Sequence, residues 1–366
     1  MGIPFVDLKA QYFTIKDQID QVVSDVIGST QFIGGKRLDD FEANFASYVD
    51  GKYAVGTSSG TSALHTAFTA LDIGKGDEVI TASNTFIATA EAISHTGATP
   101  VFVDVVDDSL LIDPAKVEAA ITQRTKAIVP VHLYGQSADM NAINDIAARH
   151  SLIVVADAAQ AHGATLDGSR KALHGKATCF SFYPGKNLGA YGEGGMVVTD
   201  DADLVERMKR LRNHGSKDKY THVEVGYNYR LDTMQASILD VKLRHLDTWN
   251  ASRHSRAERY DAAFAGGPVW PVGEAPGRRS VYHLYVIRTE NRDRLLDEMG
   301  KRGIGVGIHY PLPLHLQAAY AHLGMRPGDC PVAEKAAGEI LSLPMYAELS
   351  DDMVDEVVAA VNEIVG

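Results

Sequence analysis

Short apolar runs alternate with longer amphipathic stretches from about residue 53 to residue 200. The clearest runs are Pro100-Val101-Phe102-Val103, Ala127-Ile128-Val129-Pro130-Val131 and Leu152-Ile153-Val154-Val155-Ala156, with a weaker one at Glu78-Val79-Ile80-Thr81. Continuously apolar strands of this length predict a parallel sheet covered on both faces. Between them, residues 114–121 and 142–148 repeat their apolar positions at helical spacing. Residues 230–246 read as one long amphipathic helix, followed by the turn Ala265-Gly266-Gly267-Pro268. A strand over 282–287, a helix over 292–301 and a last helix over 352–364 give an α+β pattern. The chain is therefore expected to divide into a large domain, 1–246, and a smaller C-terminal domain, 247–366.

The 366 residues suffice for two domains with full cores. Apolar residues make up 45% and charged residues 22%, which is ordinary globular usage. A net charge of −12 argues against nucleic acid or an anionic membrane as the main partner. It leaves room for a small anion in a locally positive pocket. Cys179 and Cys330 form no CxxC pair, so a reducing cytoplasm is the expected compartment. The start, Met1-Gly2-Ile3-Pro4, lacks a basic segment followed by an apolar one, and no apolar run is long enough to span a bilayer. No metal site is expected.

Four features fall at expected strand ends or helix starts, where open α/β sheets bind ligands. Ser58-Ser59-Gly60-Thr61-Ser62 leads into a helix whose N–H groups suit a phosphate; by itself it reads better as plain capping. Asp157 follows the run 152–156 and can keep a pyridine nitrogen protonated; by itself it reads better as a helix cap or turn residue. Ser181-Phe182-Tyr183-Pro184-Gly185-Lys186 places a lysine in a tight turn after a strand over 177–182, ahead of the flexible run Gly192-Glu193-Gly194-Gly195. Such a lysine can form an imine with an aldehyde cofactor if its charge is suppressed. Asp157 and Lys186 together meet the two requirements of a pyridoxal site. Gln160 lies about one turn past Asp157, and Phe86 can stack on a ring. Gly226-Tyr227-Asn228-Tyr229-Arg230-Leu231-Asp232 is a polar loop before the long helix, able to reach a neighbouring subunit.

The block Asp157-Ala158-Ala159-Gln160-Ala161-His162-Gly163-Ala164, the segment 181–189 and Asn228-Tyr229-Arg230-Leu231-Asp232, in this order, resemble the sugar aminotransferases of the DegT/DnrJ/StrS family. The likeness runs from Phe5-Val6-Asp7-Leu8-Lys9 to Leu341-Ser342-Leu343-Pro344-Met345. It implies the aspartate aminotransferase-like α/β fold, with a seven-stranded, mostly parallel sheet and a small C-terminal α+β domain. It also implies pyridoxal 5′-phosphate as cofactor and a homodimer with shared active sites. By matching positions, Lys186 would carry the cofactor and move the proton, Asp157 would pair with the ring nitrogen, and Gln160 with the phenolic oxygen. Gly60, Thr61 and Ser181 would hold the phosphate, with Asn228 reaching in from the other subunit, and Phe86 would cover the ring. The partners implied are L-glutamate and a nucleotide-linked keto-sugar.

Val131-His132-Leu133-Tyr134-Gly135-Gln136, Leu211-Arg212-Asn213-His214-Gly215-Ser216 and His309-Tyr310-Pro311-Leu312-Pro313 look like enzymes acting on dTDP-3-keto-6-deoxyhexoses. Tyr183, Arg230, His309 and Tyr310 are then expected near the sugar. UDP-3-keto-hexuronates, 4-keto-sugars and cyclitols are the alternatives. Ala156 stands where many relatives have Glu. Dehydratases of this fold replace the lysine with histidine, and a binding or regulatory protein would be expected to lose Lys186 or Asp157; this chain keeps both.

Overall fold

The apolar runs become the centre of a seven-stranded sheet in the computed structural model, which describes residues 2–366. Met1, the first residue of the start read above, lies outside them. The strands are β1 (Tyr53–Thr57), β2 (Glu78–Ala82), β3 (Thr99–Val103), β4 (Thr125–Val129), β5 (Ile153–Asp157), β6 (Ala177–Ser181) and β7 (Gly195–Thr199). Their order across the sheet is β1-β7-β6-β5-β4-β2-β3. Only β7 runs against its neighbours, β1 and β6; the rest pair in parallel. The mostly parallel sheet expected from the sequence is what the chain forms.

The parallel strands are apolar over their centres because both faces are covered. On one face Val55, Val129, Val155 and Cys179 pack with Leu64, Ala67 and Phe68 of helix α1 (Gly60–Ala70). On the other, Ile80, Ile128, Phe180 and Phe182 pack with Phe41, Phe45, Ile143 and Ile146. This two-sided burial aligns the carboxyl ends of β1, β5 and β6, and the functional residues follow those ends.

The C-terminal part has its own core of Tyr260, Phe264, Tyr285, Ile287, Leu295, Val357 and Val361, with Ile3 contributed by the N-terminal segment. Its sheet is antiparallel, with β9 (Tyr285–Arg288) between β8 (Trp270–Pro271) and β10 (Ile340–Leu343).

Three local expectations need correction. The single helix over 230–246 is two helices, α2 (Thr233–Leu243) and α3 (Leu246–Phe264). Asp232 caps α2 by accepting from Gln235 N, which fixes its start later than the apolar pattern suggests. Helix α3 escaped the pattern because it buries Arg253 on the same side as Trp249, Ala257 and Tyr260. Leu246 belongs to the large core while Ala257, Tyr260 and Phe264 belong to the small one, so α3 joins the two cores across position 247. Second, the strand expected over 282–287 is Tyr285–Arg288. Tyr282 has a positive φ of 42°, a conformation that a strand does not admit. Third, Gly195 opens β7 and is no flexible linker: a Cβ there would lie 2.1 Å from Ser59 O, so glycine permits the strand to meet the start of α1.

Candidate active site

Asp157 is the last residue of β5, in register with Cys179 of β6. Its side chain is buried. Oδ2 accepts from Thr89 Oγ1 at 2.8 Å and Oδ1 from Ala159 N at 3.0 Å. Burial raises its pKa, against the pull of those two donors and of the Lys186 charge. A carboxylate held there in ionised form calls for a cation beside it.

Lys186 follows the end of β6 by one turn. The turn is closed by Lys186 N donating to Tyr183 O at 2.8 Å and Ala190 N donating to Phe182 O at 2.8 Å. Burial pushes the Lys186 amine down to about 8, with Asp157 acting in the opposite direction. About a tenth is therefore neutral at pH 7, far more than for an ordinary lysine, and neutrality is what a nucleophilic amine requires.

Gln160 Oε1 accepts from Tyr134 N at 2.6 Å, and its Nε2 donates to the Tyr310 hydroxyl at 3.4 Å. The Tyr310 ring lies 5.4 Å from that of Phe86, which is 53% exposed at the mouth of the group. Tyr134 OH donates to His309 O at 2.6 Å, and His309 Nδ1 meets Ser342 Oγ at 2.9 Å. Burial and the nearby Lys186 charge push the His309 imidazole down to about 4, so it is neutral at physiological pH. Tyr183 is 57% exposed, with its ring beside Gly185.

At the other end of the group, Ser59 caps α1. Its Oγ accepts from Ser62 N at 3.1 Å, and Ser62 Oγ returns the bond to Ser59 N at 2.8 Å. A Cβ on Gly60 would lie 2.6 Å from Ser181 Cβ, so glycine brings the first turn of α1 against the end of β6. The first-turn N–H groups of Gly60 and Thr61 then lie beside Ser181 with no partner from the helix itself. Asn228 is exposed and Arg230 is engaged by Asn213 Oδ1 at 2.8 Å. Within a single chain neither forms a hydrogen bond to the Asp157–Lys186 group.

These features fit pyridoxal phosphate end to end. The buried Asp157 carboxylate suits a protonated ring nitrogen, the partly neutral Lys186 suits its aldehyde carbon, and the Gly60–Ser181 cradle suits its phosphate.

Sequence reasoning passed over Thr89, Tyr134, Asn187 and His283. Thr89 stands one turn past Phe86, and Tyr134 and Asn187 lie inside blocks named above without a role. Asn187 Nδ2 donates to Asn250 Oδ1 and to Val281 O, each at 2.9 Å, and His283 Nδ1 lies 3.2 Å from Asn187 Oδ1. No local pattern could pair these residues, because the partners are far apart in the chain.

Residues 14–362 match the DegT/DnrJ/EryC1/StrS aminotransferase family. The pleiotropic regulatory protein of Geobacillus stearothermophilus is 48% identical over 99% of this chain and 98% of its own. A Streptomyces venezuelae dTDP-3-amino-3,4,6-trideoxy-alpha-D-glucose transaminase is 47% identical over 99% and 96%. The crystal structure of S. venezuelae DesV in complex with a ketimine intermediate superposes with a TM-score of 0.97 at 46% identity, covering 99% of this chain and 98% of that one. A putative sugar aminotransferase, Spr1654 of Streptococcus pneumoniae, solved in its PLP form, superposes with a TM-score of 0.91 at 27% identity, covering 95% and 96%.

Proposed function

The chain belongs to the DegT/DnrJ/EryC1/StrS aminotransferase family, and on that premise we propose that it moves an amino group from L-glutamate to the keto carbon of a nucleotide-linked sugar. The sugar class we favour is a dTDP-3-keto-6-deoxyhexose. The observation that carries the reading is the meeting of a buried carboxylate, Asp157, and a charge-suppressed lysine, Lys186, at the ends of adjacent parallel strands.

Asp157 would hold the ring nitrogen of pyridoxal phosphate, Gln160 its phenolic oxygen, and Gly60, Thr61 and Ser181 its phosphate. Phe86 would cover the ring. Bound there, the cofactor supplies an electron sink conjugated to the substrate carbon. Lys186 Nζ takes and returns the proton at that carbon, which its pKa of about 8 suits at neutral pH. Neutral His309 and the Tyr310 hydroxyl offer hydrogen bonds to the sugar, and Tyr183 and Arg230 would border it. Thr89 keeps Asp157 aimed through its 2.8 Å bond.

Asn228 would complete the phosphate site of a second copy in a homodimer. In support, Phe32, Ile33, Tyr220, Val223 and Val225 are exposed apolar residues on segments flanking it, Val225 at 90%. Both cysteines are free and buried, which suits the cytoplasm, and among the described residues no helix is long and apolar enough to cross a membrane. The relative named as a regulatory protein raises a non-enzymatic reading, but retention of Lys186 and Asp157 with these perturbed pKa values favours chemistry.

Incubation with a dTDP-3-keto-6-deoxyhexose and L-glutamate should yield 2-oxoglutarate and the 3-amino sugar by mass spectrometry. Turnover of a UDP-3-keto-hexuronate alone would move the assignment to that class. No turnover of any keto-sugar or cyclitol would overturn the substrate reading.

A further inference from the structure

Behind the Lys186 turn lies a buried group of charges that the chemistry above does not use. Lys242 on α2 is completely buried. Its Nζ donates to Gly189 O at 2.7 Å and lies 4.1 Å from the centre of the Tyr191 ring. Two turns earlier on the same helix, Gln235 Oε1 accepts from Tyr191 N at 2.9 Å. The carboxylate acting on Lys242 is Glu348, which also acts on the buried Arg253. Arg253 Nη1 donates to Met345 O at 2.9 Å and to Tyr282 O at 3.1 Å. The Tyr191 hydroxyl and Glu348 Oε1 are buried with no protein partner.

A lysine in such a place costs desolvation that an apolar residue of similar length would avoid. Burial pushes the Lys242 amine down to about 7, and what it provides in either charge state, unlike an apolar residue, is a donor for Gly189 O. That carbonyl belongs to the turn carrying Lys186, where Gly189 is itself pressed against Pro184: a Cβ would lie 2.2 Å from Pro184 O. The opposite flank of the turn is tied to α3 through Asn187 and Asn250. Lys242 ties the flank that Asn187 does not reach.

We infer that Lys242 is a positioning residue: by donating to Gly189 O it holds the Lys186 turn closed and keeps water from the Lys186 amine. The inference rests on the reading of Lys186 as the cofactor-bearing residue. Asp157 is the charged group that acts on that amine, and the Lys186 charge in turn pushes His162, His283 and His309 down. None is touched by substitution at Lys242.

The test uses the full chain without added cofactor. The rate at which an amine-directed reagent modifies Lys186 is followed against pH by peptide mass spectrometry. In the wild type the midpoint should lie near 8, and added pyridoxal phosphate should protect Lys186. In Lys242→Met the midpoint should rise by about one unit, a tenfold loss of neutral amine at neutral pH. A Lys242→Met chain that melts earlier yet keeps the wild-type midpoint would show a merely structural lysine and overturn the inference. Absence of protection in the wild type would instead overturn the reading of Lys186 itself. Should Lys242→Met not fold, Lys242→Gln carries the test: its shorter side chain stays polar but loses the reach to Gly189 O, and the midpoint should rise in the same direction; an unchanged midpoint overturns the inference.

Discussion

At the carboxyl edge of the sheet, Asp157 and His162 are buried and Lys186 half-buried, and desolvation pushes each toward its neutral form. In the C-terminal core, Tyr260 stacks on Phe264 and Tyr285, while charges such as Arg259 and Asp355 pair at the exposed rim. The first region carries groups that cost stability, and the second supplies apolar burial that offsets such costs. Substitutions should therefore separate the two: changes at the edge cost chemistry and not folding, and changes in the core do the reverse.

The largest effect is expected from Lys186→Met, which should lower turnover about ten-thousand-fold. The sign of its stability effect follows from linkage. A lysine whose folded pKa lies at about 8, below its ordinary 10.5, contributes stability above 10.5 that is lost as pH falls through 8. The cofactor-free wild type should thus gain stability between pH 8 and 10.5, whereas Lys186→Met should show no such gain and be more stable at pH 7 by about 3 kcal/mol. Denaturant titrations across that pH range check this.

Next comes Asp157→Asn, expected to lower turnover about a hundred-fold or more. Because the Asp157 pKa is raised in the fold, its charge costs stability progressively once pH exceeds the ordinary 3.8. The cofactor-free variant should therefore melt no lower, and above that pH higher, than the wild type. A variant that melts lower would break the contrast.

Phe264→Ala removes a fully buried ring from the C-terminal core and should cost about 3–5 kcal/mol. Cofactor uptake by the fraction still folded should be unchanged in the same titration. Smallest is Arg259→Ala, which removes an exposed pair with Asp355 and should shift stability by no more than about 0.5 kcal/mol.

Much of this contrast was legible in the chain itself. Pro100–Val103, 127–131 and 152–156 announced a two-faced parallel sheet, because strands buried on both sides carry no polar alternation. Lys186 and Asp157 stood out because each follows such a run. Less legible was whatever depends on distant partners. Helix α3 hid behind its buried Arg253, whose acceptors lie far along the chain at Tyr282 and Met345. β7 hid behind Gly195, needed for contact with Ser59, not for flexibility. Tyr134 acts through its backbone N–H, which no side-chain motif reports. Asn250 likewise donates through Nδ2 to His162 O at 2.8 Å, a partner far from it in the chain.

The central claim is that Lys186 and Asp157 make the edge of the sheet a pyridoxal site for amino-group transfer. The visible absorption spectrum of the purified chain with pyridoxal phosphate, before and after L-glutamate, tests it most directly. The account predicts a visible band that bleaches with glutamate and is absent in Lys186→Ala. A chain that develops no band, or an equal band in Lys186→Ala, would contradict it.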